Sequence, residues 1–188
     1  MVTLPALAGV VAERLYTGQE ALALGDIGPY ELIEGRIVNM SPVKPKHGKY
    51  EARFAKALMD FVDEHQLGEV QTGEVGIYVR RNPDTVRAAD VLYISNERLA
   101  QVTPDDFLDA PPELVVEVVS PTDSWTEIRK KVKEYLGAGV NVVLVIDPEA
   151  KTLTLYRSPT AVRELTPADT LTLEDILPGF SVPVQDLF

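Results

Sequence analysis

Apolar positions recur at three- and four-residue spacings in two long stretches of the chain. In KHGKYEARFAKALMDFVDEHQ, residues 46–66, the side chains of Tyr50, Phe54, Ala57, Leu58, Phe61 and Val62 share one side of a helical wheel. That spacing predicts an amphipathic helix with Gly68 as its stop. In TDSWTEIRKKVKEYLGAGV the stripe is Trp125, Ile128, Val132, Tyr135 and Leu136, Ser124 and Glu127 have capping-box spacing, and Gly137 or Gly139 ends the helix. A shorter helix is predicted from its N-cap Thr17 through Leu24, closed by Gly25. Elsewhere the pattern is that of strands. YELIEGRIVNM reads as a hairpin with arms 30–33 and 36–40 around Glu34-Gly35, and EVQTGEVGIYVR and AADVLYIS are strands separated by the turn RNPDT. After a loop rich in Pro and Asp at 103–112 come a strand at 114–119, the second long helix, and the strands NVVLVID and TLTLYR joined by PEAK. The tail holds a short helical turn and a closing segment with Phe180 and Val182. This order predicts a single α+β domain over 1–188, a mixed α/β sheet flanked by helices, with 1–28 as an N-terminal extension.

One strand breaks the apolar rule. PPELVVEVVSP carries Leu114, Val115, Val116, Val118 and Val119, the run of a strand buried on both faces, with Glu117 among them. An ionised carboxylate in such a place must be paired, hydrogen-bonded or bound to a cation. Alternation puts Val115, Glu117 and Val119 on one face and Leu114, Val116 and Val118 on the other. Asp90 opens the apolar part of AADVLYIS, and if the two strands are neighbours Asp90 and Glu117 converge. Two carboxylates that close repel unless a proton or divalent cation lies between them. The structural alternatives are a buried ion pair of Glu117 with Arg87 or Arg129 and a turn-forming role for Asp90.

Composition narrows the chemistry. There is no cysteine and the two histidines are His47 and His65, which excludes disulfides, thiolate zinc sites, cysteine nucleophiles and multi-histidine metal sites. Oxygen ligands remain, and they suit Mg²⁺ or Mn²⁺. A net charge of −11 argues against broad electrostatic capture of nucleic acid but leaves room for a local basic groove. Lys44, Lys46, His47, Lys49 and Arg53 cluster at the start of the first long helix and could contact phosphate there. No window approaches twenty apolar residues and the N-terminus lacks a basic leader, so no membrane association and a cytoplasmic location are expected. On the second long helix, Lys130 faces away from the apolar stripe, Lys131 lies on one margin beside Ile128 and Tyr135, and Arg129 lies on the other. Helical phase leaves Lys131 and Arg129 both open. Glu31 alternates with Tyr30 and Leu32 on the hairpin, and can look toward the same site.

The ordered set YELIEGRIV, MSP, a His at the start of a long helix, an Asp opening a strand, PPELVVEVVSP, a Lys four residues before the Tyr of KVKEY, GV and VIDP resembles the Uma-two restriction-endonuclease family of the PD-(D/E)XK nuclease superfamily. The resemblance runs from about Tyr30 to Tyr156. It implies a restriction-endonuclease-like core, a divalent cation held by carboxylates, and phosphodiester hydrolysis with DNA as substrate and a homodimer by analogy. Carried over, Asp90 and Glu117 match the motif's acidic pair. The proline before the aspartate is Ala89 here, and the lysine two residues beyond the glutamate is Val119. The family pattern moves that lysine to the following helix, which selects Lys131. On this reading Asp90, Glu117 and a backbone carbonyl near Val118 hold Mg²⁺ or Mn²⁺, Lys131, Glu31 and His47 complete the catalytic group, and Lys46, Lys49 and Arg53 bind substrate. A nuclease fold without turnover, serving as an interaction or nucleic-acid-binding module, is the rival expectation.

Overall fold

The structure is a computed structural model and describes residues 14–188 except Val43 and Thr122. Its elements are α1 (Gly18–Leu22), β1 (Tyr30–Ile33), β2 (Arg36–Asn39), α2 (Pro45–His65), β3 (Gly68–Arg80), β4 (Thr85–Ser95), α3 (Asn96–Leu99), β5 (Leu114–Val118), α4 (Trp125–Ala138), β6 (Val142–Asp147), β7 (Thr152–Tyr156), β8 (Val162–Leu165), β9 (Thr170–Thr172) and β10 (Ser181–Pro183). A 3-10 turn over Val184–Leu187 follows. Eight strands form one mixed sheet in the order β2-β1-β4-β5-β6-β7-β8, with β3 paired to the other edge of β4, while β9 and β10 make a separate hairpin. The α+β reading therefore stands. The β5–α4–β6 unit supplies the parallel pair, Leu114 opposite Val142 through Val118 opposite Ile146, and the remaining ladders are antiparallel.

Both faces of the sheet are covered. Alternation along β5 sends Leu114, Val116 and Val118 to the side where α2 packs Tyr50, Phe54, Leu58 and Val62, joined by Leu177, Phe180 and Leu187 of the tail. Val115 faces Ile128, Val132 and Tyr135 of α4. The two amphipathic helices thus each bury a single stripe. The hairpin turn is of the primed kind, because Glu34 and Gly35 have φ of 53° and 77°. Residues ahead of the hairpin belong to the same body. Thr17 and Glu20 form a capping box, the Gly18 N–H donates to Asp84, and Ala21 packs with Leu32, Tyr78 and Val86. The part of the expected extension at residues 1–13 lies outside the described residues.

Several boundaries differ from the sequence reading. Gln66, not Gly68, adopts the left-handed conformation that ends α2 (φ 52°). Of the two glycines expected to end α4, Gly137 lies within the helix and Gly139 is the cap, with φ 104°. The helix α3 and strands β8, β9 and β10 were not anticipated, because each is too short to show a period. No described helix is long and apolar enough to cross a membrane.

Candidate active site

The site arises from how β4 shares one of its edges. β3 occupies one edge along most of its length, from Gly68 opposite Ser95 to Arg80 opposite Thr85. The other edge is divided. β1 meets it at Val86, opposite Leu32, and β5 meets it from Val91, opposite Val116, to Tyr93, opposite Leu114. Arg87 to Asp90 fall in the gap between these two partners, where side chains take the place of ladder bonds. The Ala88 N–H donates to Glu31 Oε1 at 3.3 Å and the Val118 N–H donates to Asp90 Oδ2 at 2.7 Å. Because the β4–β5 register stops one position short, Asp90 and Glu117 stand at the point where the strands part. A cleft of about 530 Å³ opens there, and Glu31, His47, Asp90, Glu117, Val118 and Lys131 all line it.

Each group is held by a second element. Glu117, 4% exposed, accepts from the Tyr135 hydroxyl at 2.7 Å and from Lys131 Nζ at 3.2 Å. Lys131 Nζ also lies 3.0 Å from Glu31 Oε1, so its ammonium joins the two carboxylates. Arg87 donates through Nη1 to Glu31 and through Nε to Glu134, both at 2.6 Å. That fork fastens α4 to β1 and β4 and fixes the helix that presents Lys131. The alternative reading, an ion pair of Glu117 with Arg87 or Arg129, is not what forms; Glu117 pairs with Lys131. Arg87 serves Glu31 and Glu134, and Arg129 donates Nε to the Trp125 carbonyl.

His47 enters from α2. Its Nε2 lies 3.3 Å from Asp90 Oδ1 but off the hydrogen-bonding direction, so this buried nitrogen has no hydrogen-bond partner, while Nδ1 is 3.4 Å from Ser120 Oγ. Two further carboxylates surround Asp90. Glu51, one helical turn beyond His47, is hydrogen-bonded by the Gly73 backbone, and Glu74 sits at the β3 bulge with φ 61°.

The electrostatics follow from this crowding. Burial pushes Glu117 up to about 7, against the pull of Lys131 and with Asp90 adding to the rise. Glu51 and Glu74 are raised by burial and then by Asp90. Glu31 goes the other way. Burial raises it, but Lys131 and Arg87 together hold it below its usual range. For Lys131 burial lowers the pKa, yet Glu117 and Glu31 more than offset that and keep the ammonium form. Burial likewise lowers His47 while the Asp90 carboxylate raises it, and the net shift is upward. Tyr135 is pushed well above its ordinary value by burial and by Glu117, so its hydroxyl stays a donor.

The donor set suits a hard divalent cation. Asp90 and Glu117 offer buried oxygens whose mutual repulsion a cation would relieve, and the Nε2 of His47 lies buried 3.3 Å from Asp90 without a hydrogen bond. Among the described residues no three His, Asp or Glu side chains form a ready-made cage. A cation here would draw its other ligands from backbone oxygen and water.

The family model for Uma2, described as "putative restriction endonuclease", matches residues 19–185. The chain belongs to this family. Membership supports a nuclease function. A solved structure described as a putative nuclease belonging to DUF820, from Anabaena variabilis ATCC 29413, has a TM-score of 0.76 at 20% identity, covering 92% of this chain and 97% of that one. At that identity the likeness speaks for the fold. No curated protein matches.

The basic group expected at the start of α2 is split by helical phase. Lys46 lines a groove next to the cleft. Lys49 points toward the C-terminal end, with Nζ 3.2 Å from the Phe188 carbonyl oxygen. Arg53 is exposed further along the helix. Sequence reasoning missed Tyr135 as a site residue because it counted as part of the apolar stripe, and missed Glu134. Glu51 could have been found from its i,i+4 spacing to His47.

Proposed function

We propose that this protein is a divalent-metal-dependent endodeoxyribonuclease. The observation that carries the reading is the convergence of Asp90 and Glu117 in the gap between β1 and β5, with the Lys131 ammonium 3.2 Å from Glu117. Asp90, Glu117 and a backbone carbonyl near Val118 would hold Mg²⁺ or Mn²⁺. Such an ion supplies Lewis acidity at the scissile phosphate and lowers the pKa of a bound water.

The protein groups have separable tasks. The Val118 N–H and the Tyr135 hydroxyl fix the orientation of Asp90 and Glu117. Lys131 is held as an ammonium by Glu31 and Glu117, so it acts as a positive charge that orients the attacking water and offsets negative charge developing on the phosphoryl oxygens, not as a base. Glu31 and Arg87 position that lysine. His47, buried beside Asp90, is the candidate within the cleft for a contact to substrate phosphate. Of the basic residues expected to bind substrate, Lys46 beside the cleft and exposed Arg53 are the remaining candidates for backbone contacts, while Lys49 is engaged at Phe188. A homodimer would bring two such sites to the two strands of a duplex.

The direct test is cleavage of supercoiled plasmid and of single-stranded DNA by purified protein in EDTA, Mg²⁺ and Mn²⁺, with Glu117→Gln as control. Metal-dependent cleavage by the wild type and none by the variant is expected. Equal residual cleavage by both would place any activity elsewhere. Absence of cleavage and of DNA binding would favour a non-catalytic module.

A further inference from the structure

A second pocket opens beside the catalytic cleft and shares Lys44, His47, Ser120, Pro121 and Asp123 with it. Its volume is about 220 Å³, below the roughly 300–1,000 Å³ of pockets that enclose drug-sized ligands. Trp125, Val119, Pro148, Asp147 and Glu149 line it and not the cleft. Val119, Pro121, Pro148 and Trp125 supply apolar surface, and Lys44 and Lys46 stand on the rim. Trp125 is the single tryptophan of the chain and is 44% exposed. It was expected to lie in the apolar stripe of α4, but the buried positions of that helix are Ile128, Val132 and Tyr135. Its ring has no aromatic or cationic stacking partner among the described residues. An indole so placed, over an apolar hollow next to a phosphodiester-cleaving site, has the makings of a stacking platform.

The charges select which part of a nucleotide the hollow can take. Asp123, Asp147 and Glu149 also line it. Asp147 accepts the N–H groups of Glu149 and Ala150, and Asp123 accepts that of Ser120, so both are tied into their loops as carboxylates. A phosphate pushed into the hollow would meet this negative charge. A base would present an uncharged ring to Trp125 and the prolines, and its amino edge to carboxylate oxygens, while the phosphates flanking it ran along Lys44 and Lys46.

We propose that this pocket is a nucleobase subsite, in which one unpaired base stacks on Trp125, and that the substrate engaged beside the Asp90–Glu117 site is single-stranded. The inference rests on the nuclease reading and narrows it, since a base in a duplex has both faces covered and must first be extruded at the cost of unstacking. Stacking is tolerant of base identity, so the subsite selects strandedness more than sequence.

The sole tryptophan makes the test direct. The full-length protein is titrated in Ca²⁺, to hold back turnover, with a fluorescein-labelled single strand of mixed sequence, its perfect duplex, and an abasic strand of equal length. Tryptophan emission and label anisotropy are both followed. The single strand is expected to quench Trp125, with little quenching by the duplex or the abasic strand. Trp125→Ala should weaken single-strand affinity on the order of tenfold, the scale of one lost stacking contact, and Trp125→Phe should restore most of it. A single strand that binds by anisotropy without changing the emission, an unaltered affinity in Trp125→Ala, or equal quenching by the duplex would overturn the subsite. In each of those cases metal-dependent cleavage by the wild type would leave the nuclease reading standing. If no DNA binds and none is cut, the nuclease reading fails and the subsite falls with it.

Discussion

Glu117→Gln exchanges a buried carboxylate for an amide of the same shape, and the charge of the site dictates how the consequence depends on pH. Burial lifts Glu117 from 4.5 to about 7 in the folded protein. A carboxyl that holds its proton more tightly folded than unfolded favours folding at low pH. That advantage declines as pH rises past the unfolded value and is gone above the folded one. The window is therefore about 4.5 to 7. At about 1.4 kcal/mol for each tenfold change in proton affinity, the loss across it is about 3 kcal/mol. In EDTA, wild type should lose about that much more stability than Glu117→Gln between these limits; His47, Glu51 and Glu74 titrate in both proteins and largely cancel in the difference. Cation binding acts in the opposite sense. At a hundredfold excess over its dissociation constant a ligand of the native state adds about 2.7 kcal/mol, which for a chain of this size is a rise of about 5–10 °C in Tm. Wild type should show that rise in Mg²⁺ or Mn²⁺ and the variant should not. Urea unfolding across the pH series, with and without metal, reads both effects. Parallel pH profiles would refute the account of burial, and equal metal responses would place the cation elsewhere.

Other outcomes follow from the contacts. Lys131→Ala should retain the metal-induced rise in Tm but lose on the order of a hundredfold or more in cleavage rate, whereas exposed Lys130→Ala should be nearly silent; equal damage would overturn the assignment. Arg87 is 2% exposed between Glu31 and Glu134, so Arg87→Leu should cost about 3–5 kcal/mol in urea unfolding. Arg87→Lys should restore little, because an ammonium cannot reproduce the fork. Lys46→Ala should flatten the log-log salt dependence of single-strand binding by about 0.7, the value of one phosphate contact on a single strand. Lys49→Ala should leave the slope unchanged, since its ammonium is engaged at Phe188; anisotropy over a salt series distinguishes the two.

What the sequence discloses depends on whether a physical constraint is local. The helices α2 and α4 are legible because each buries one stripe, and β5 and β6 because both of their faces are covered. Glu117 stands out for the same reason, as a charge where the pattern permits none. The strands β9 and β10 and the helix α3 escape because they are short and gain their order from what they pack against. Proximity along the chain misleads at Lys49, which is two residues from His47 but about 200° around the helix from it. Tyr135 escapes differently. Its ring belongs to the apolar stripe while its hydroxyl belongs to Glu117, and periodicity registers only the ring.

The position of the lysine explains how the motif tolerates Val119. What the proposed chemistry requires is an ammonium next to the glutamate, and β5 is only one route to that place. Val119 shares a face with Glu117 but packs toward the cluster built on Ile128, Val132 and Tyr135 of α4. The same helix runs across that face, and Lys131, four residues before Tyr135, brings Nζ to 3.2 Å from the carboxylate that Tyr135 also holds. A lysine on a helix is less firmly located than one on a central strand unless the helix itself is fastened. The Arg87 fork does this, binding Glu134 of α4 and Glu31 of β1 at once, and Glu31 in turn holds Lys131. On the proposed reading, moving the lysine off the strand makes Glu31, Arg87 and Glu134 part of the positioning of the active site, three residues that a linear motif of aspartate, glutamate and lysine does not contain.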